Sequence, residues 1–98
     1  MIRDLLRNPI VTETVAARIA ARRPARPEAL RALHEDPRFR NRVAVRRALA
    51  RNPYVETEIA LHILPTLPAS LVAEISGDGT LHPVVREAAR RLLAGRGS

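Results

Sequence analysis

Positions 44 apart in this 98-residue chain match one another. Leu6-Arg7-Asn8-Pro9-Ile10-Val11 returns as Ala50-Arg51-Asn52-Pro53-Tyr54-Val55, and Val15-Ala16 and Ile19 return as Ile59-Ala60 and Ile63. A chain that repeats at this spacing builds one supersecondary unit more than once. Neither copy buries enough apolar surface alone, so the fold must come from stacking them. The register then slips and recovers. Leu30, Leu33 and Asp36 align with Val72, Ile75 and Asp78 at a shift of 42, and Arg46-Arg47-Ala48-Leu49-Ala50 aligns with Arg90-Arg91-Leu92-Leu93-Ala94 at 44 again. The two residues regained lie after Gly77-Asp78-Gly79, a turn sequence.

Within each copy the apolar residues fall at helical spacing and prolines separate them. Residues 2–7 are expected to form a short helix, with Ile2, Leu5 and Leu6 on one side. It ends at Asn8-Pro9, where the proline pushes Asn8 out of the α region. A helix over 12–21 follows, capped by Thr12 or Val11, with Val15, Ile19, Val11 and Ala16 inward and Glu13 in its first turn. Arg22-Arg23-Pro24-Ala25-Arg26-Pro27 is read as a stiff connector. Pro27 opens a third helix carrying Leu30 and Leu33, which closes around His34-Glu35-Asp36-Pro37. A fourth is expected near 39–51 with Val45, Ala48 and Leu49 inward, a fifth near 55–64, a sixth near 68–75 after a second proline connector, and a seventh from Pro83 to Ala94 with Gly95 as the C′ residue.

The expected fold is therefore all-α: a small right-handed α-solenoid of about six to seven short helices, in two copies of a unit of about 44 residues. It is read as a single helical-repeat domain over 1–98. Residues 1–8 are a lone capping helix, 9–52 and 53–95 the two repeats, and 96–98 a tail. The unit length, the paired helices and the pattern Asn8-Pro9-x-x-x-x-x-Val15 and Asn52-Pro53-x-x-x-x-x-Ile59 resemble HEAT-like repeats and the bacterial leucine-rich-variant repeats. Those repeats often read Asn-Pro-x-Thr-Pro, whereas Val11-Thr12 and Val55-Glu56 stand at the last two positions here. The cysteine cluster sometimes attached to the leucine-rich-variant family is absent. The resemblance implies a solenoid and a general scaffold or binding role, and it transfers no site residue.

A chain of this length buries only roughly 65% of the surface its unfolded form exposes, which argues against a large enclosed active site. Without cysteine there is no disulfide, thiolate metal site or thiol nucleophile. No apolar run approaches the ~18 residues of a membrane span, so no membrane partner is expected and a cytoplasmic location is the default. His34, His62 and His82 occupy different places in the repeat and are read as surface or cap residues; no metal site is expected. Glu56 and Glu58 stand two apart on a helix, so their side chains diverge by about 200° and cannot act as an acid–base pair. The Gly77-Asp78-Gly79 cluster lacks the Lys-Ser/Thr of a phosphate loop. Neither catalysis nor a cofactor is expected.

Charge is the one constellation left. All 17 basic residues are arginine, and their placement is uneven. Residues 1–51 hold 13 arginines against five carboxylates, a net of +8, whereas residues 52–98 hold four against five, a net of −1. Codon bias toward arginine would act on both halves alike, so the asymmetry carries more meaning than the absence of lysine. Arg22, Arg23, Arg26, Arg38, Arg40, Arg42, Arg46 and Arg47 make up the candidate surface for a partner or for phosphate groups. The leading expectation is a non-enzymatic protein-interaction or scaffold module. The alternative is sequence-independent binding of nucleic acid or another polyanion through the Arg-rich face of 22–51. Phe39 and Tyr54, the only aromatics, both stand at helix starts and are expected in the core, so base stacking is not the mode. Self-association is a further expectation, through Ile2, Leu5 and Leu6 at one end and Leu81, Val84, Val85 and Leu92 at the other.

Overall fold

A computed structural model describes residues 12–96. The helix expected over 2–7, with Ile2, Leu5, Leu6 and the Asn8-Pro9 turn, lies outside the described residues. Within them are six α-helices and no strand: α1 Glu13–Ala20, α2 Pro27–Glu35, α3 Val43–Arg51, α4 Thr57–Ile63, α5 Ala69–Ser76 and α6 Pro83–Arg96. A 3-10 turn, Leu64–Thr66, follows α4 directly. Pro65, read from sequence as part of a connector, lies inside that turn.

The helix starts are set locally. Thr12 Oγ1 accepts from the Val15 amide at 3.3 Å and so caps α1, satisfying one of the donors that every helix N-terminus leaves open. Pro27 occupies the first turn of α2, where its missing N–H costs nothing. At α6 the residue before the proline supplies the cap: His82 Nδ1 accepts from the Val84 amide at 3.1 Å.

Each helix turns a narrow stripe inward. Ala16, Ile19 and Ala20 of α1, Leu30 and Leu33 of α2, Val45, Leu49 and Ala50 of α3, Ile59, Ala60 and Ile63 of α4, Leu71, Val72 and Ile75 of α5, and Val85 and Ala89 of α6 form one continuous core. Leu30, Leu33, Leu49 and Ile63 are fully enclosed. α5 packs most extensively on α6, α1 packs on α3, and α4 touches both α3 and α6. The resulting body measures 44 × 22 × 17 Å. No helix among the described residues is long and apolar enough to cross a membrane.

Four local expectations are corrected. Val15 is 36% exposed rather than inward, because Ala16, Ile19 and Ala20 supply the contacting face of α1. The fourth helix begins at Val43, not near 39. Asp36 captures the amides that would have started it: its carbonyl accepts from Phe39 and Arg40 at 3.0 and 2.9 Å, and its carboxylate from the Arg38 amide at 2.8 Å. Buried Phe39 pins this turn to the core, and the Arg38 guanidinium stacks on its ring at 4.8 Å. Tyr54, expected in the core, is 44% exposed. Gly95 is not a left-handed C′ residue, since no described glycine has positive φ and α6 continues through it to Arg96.

Candidate functional site

The arginines of 22–51 do not form one face. Arg46 and Arg47, neighbours in sequence, point into different grooves because successive helical positions are turned by about 100°.

The first groove runs between α1 and α3 and encloses about 850 Å³. It is lined by the small side chains of Ala17, Ala21, Ala44 and Ala48 and by Val43, with Arg18, Arg23, Arg47 and Arg51 beside them and Glu13 and Thr14 at one end. Alanine at these positions lets backbone approach backbone. Val43 is 61% exposed, a β-branched residue left uncovered at the mouth. Arg42 reaches across the end of this groove to Glu13 at 3.9 Å, and the Arg23 guanidinium donates to the Arg51 carbonyl at 2.7 Å.

The second groove, about 920 Å³, is bounded by α2, the 36–42 turn, α3 and α4, and its lining includes Arg31, His34, Arg40, Arg46, Glu58 and His62. The His34 and His62 rings meet edge to face, centroids 5.6 Å apart and planes at 79°. Burial is the first cause that lowers the His34 pKa, followed by the nearby His62 and Arg46. A histidine held neutral in the fold is most stabilising above its unfolded pKa, so its contribution is lost as pH falls below about 6.5.

At the floor of the second groove Arg31 is held from two sides. Its Nε donates to Glu56 Oε1 at 2.6 Å and its Nη2 to Oε2, while Glu35 lies at 3.8 Å. The hydrogen bond from Arg31 is the main cause that lowers the Glu56 pKa, and the same bond raises that of Arg31. A carboxylate with a depressed folded-state pKa contributes stability above its unfolded value and loses it as pH falls. The melting temperature is therefore expected to drop between about pH 5 and pH 3, and Glu56→Gln should flatten that slope; an unchanged slope in a pH series of thermal melts would remove the pair from the account. Glu56 thus links α2 to the start of α4.

The remaining candidates are dispersed. Arg38 is bound to Asp36 through Nε and Nη2 at 3.3 and 3.1 Å. Burial alone would raise the Asp36 pKa, but the hydrogen bonds from Arg38 outweigh it and leave it lowered. Arg22 and Arg26 are exposed in the 21–26 connector. The structure thus places Arg23 and Arg47 at the first groove, Arg40 and Arg46 at the second, Arg42 at the end of the first, and Arg38 in a local turn.

Three features escaped the sequence reading. The His34–His62 contact joins residues on different helices. Glu58 precedes His62 by four residues on α4, a spacing that puts both on one side. Among the described residues, however, no group of three His, Asp or Glu is placed to hold a metal ion. The third is Asn52, the buried polar residue of the core. Its Nδ2 donates to the Ala20 and Arg22 carbonyls at 2.8 and 2.9 Å, and its Oδ1 accepts from the Tyr54 amide at 2.9 Å. The position 44 residues later is Arg96, whose guanidinium donates to the Leu67 and Pro65 carbonyls, both at 3.0 Å. The two contacts are alike although the residues are not.

No protein-family model, curated protein or solved structure matches this chain.

Proposed function

We propose that this chain is a non-enzymatic, cytoplasmic protein-interaction module, a short HEAT-like solenoid of two helical units, and that it receives an acidic amphipathic helix in the groove between α1 and α3. The repeat reading is supported by the matching order of helices in the two halves and by the paired contacts of Asn52 and Arg96. The observation that carries the function is the composition of the α1–α3 groove: an alanine lining that admits a helix closely, with four guanidinium groups beside it. Helix-in-groove recognition needs an apolar strip at i, i+3, i+4 and i+7 on the guest, and complementary charge fixes its register. Here the complement is Glu or Asp on the guest's flanks.

The polyanion alternative is less well supported, because a nucleic-acid backbone presents phosphates along one track. The arginines of 22–51 divide between two grooves, and Arg31, Arg38 and Arg42 already face carboxylates.

The test is fluorescence anisotropy with a labelled designed helical peptide, leucine on one side and glutamate on its flanks, beside a lysine-flanked counterpart and a labelled DNA duplex. Saturable binding of the acidic peptide is expected, weakened at least about tenfold by Arg47→Glu and by Ala44→Glu. Equal binding of both peptides, or no effect of either substitution in folded protein, would reject the groove. Tighter binding of the duplex with a steep salt dependence would establish the alternative instead.

A further inference from the structure

The second groove holds hydrogen-bonding capacity that the protein itself does not use. The Nε of Arg46 and the Nδ1 of His34 are buried, and neither has a partner. Buried polar atoms left open, here a guanidinium donor and an imidazole nitrogen, are costly, and native structures close them with water, an ion or a ligand. Arg40 and Arg46 have no carboxylate at salt-bridge distance among the described residues, whereas Arg31 is paired with Glu56 and Glu35. Three guanidinium groups, two imidazoles and the Asn41 amide border one open space together with two carboxylates, Glu35 and Glu58.

We propose that the groove between α2, the 36–42 turn, α3 and α4 is a binding site for a phosphate monoester, gripped by Arg46 and Arg40 and completed by His34 and His62. The donor count favours phosphate over carboxylate, since a monoester offers three terminal oxygens and up to two negative charges where a carboxylate offers two oxygens and one. Arginine suits such groups through its fixed fork of N–H donors. At about 920 Å³ the groove has room for the organic part of the ester as well as its phosphate.

The groups facing His34 set the pH behaviour. Arg31 and Glu35 come from its own helix, Arg40 from the turn, Arg46 from α3, and Glu58 and His62 from α4. Burial, with His62 and Arg46 nearby, lowers the pKa of His34. A bound dianion reverses that balance, so protonation and binding promote one another. Binding should tighten as pH falls from about 7.5 to about 6.5, where a monoester still carries between one and two charges. Glu58 opposes the ligand, so Glu58→Gln should strengthen binding severalfold.

The experiment is an NMR titration of the full chain with phenyl phosphate, following the imidazole signals of His34, His62 and His82. Saturable shifts at His34 and His62 with His82 still, together with a raised His34 pKa at saturation, are the expected result. Arg46→Gln should weaken binding about tenfold or more, and Arg40→Gln, at an exposed position, serves if Arg46→Gln fails to fold; Arg91→Gln, on the exposed side of α6, should leave phosphate binding unchanged. Phosphoserine peptide and inorganic phosphate, run in parallel, separate the sources of the group. A peptide that binds more tightly than phenyl phosphate identifies a phosphorylated protein segment, and equal binding identifies a small phosphorylated molecule. The proposal is overturned if no saturable shift occurs at tens of millimolar ligand, if sodium sulfate and chloride give the same shifts, or if the folded Arg46 and Arg40 variants bind as the parent does. The site stands apart from the α1–α3 groove, and its failure would leave that reading intact.

Discussion

Asn52→Ala should lower the melting temperature by roughly 10–25 °C, the range that a loss of about 2–4 kcal/mol produces in a domain of this size. The amide of Asn52 serves three backbone groups at once: the carbonyls of Ala20 and Arg22 and the N–H of Tyr54. Ala20 ends α1, so its carbonyl has no helical partner and depends on this side chain. Alanine leaves all three unmet in a site where Asn52 is only 1% exposed. Asn52→Asp tests the same argument with the volume kept. A carboxylate can still accept from Tyr54 but cannot donate to the two carbonyls, so it should destabilise at least as much as alanine near neutral pH and partly recover in acid, when a protonated oxygen regains one donor. Thermal denaturation followed by circular dichroism decides the matter; a drop of only a few degrees for Asn52→Ala would mean that solvent reaches these groups.

Leu49→Ala is expected to be as damaging for a different reason. Leu49 lies on the inward face of α3 and is completely enclosed. Truncation removes its apolar contacts and leaves a cavity, at a cost of about 2–5 kcal/mol. A single domain of this length holds only about 5–15 kcal/mol in all, so urea denaturation should show the midpoint falling by a third or more with little change in slope. Leu49→Met, close in volume, should cost under about 1.5 kcal/mol. If the methionine variant were as weak as the alanine one, shape rather than volume would govern this position.

The sequence disclosed the helices well where their ends are marked by local chemistry. Thr12, Pro27 and the His82-Pro83 pair each stop or start a helix through atoms within a few residues, and the expected boundaries fall close to the observed ones. It misplaced the start of α3, because Asp36 gathers the Arg38, Phe39 and Arg40 amides into a turn and the burial of Phe39 ties that turn to the core. Tyr54 went wrong in the opposite direction: an aromatic at a helix start looks like core, but here the backbone is fixed by Asn52 and the ring is left outside. The charge asymmetry was visible as a total. Its division was not, since the one-residue step that sends Arg46 to one groove and Arg47 to the other matters only once α1 and α4 stand on either side of α3. His34 and His62 are 28 positions apart and carry no shared motif, so their meeting could only emerge once α2 and α4 both pack on α3.

The tie between α1 and α3 also governs how the chain opens. Ordinarily a short helix frays from its ends, one residue at a time, with little effect on its neighbours. Here the last carbonyl of α1 is held by a residue beyond the end of α3, while the last carbonyl of α3 is held in return by Arg23, just beyond α1. Neither end can loosen without releasing the other. Hydrogen exchange should therefore find the amides at the C-terminal ends of these two helices becoming accessible together, as one cooperative unit.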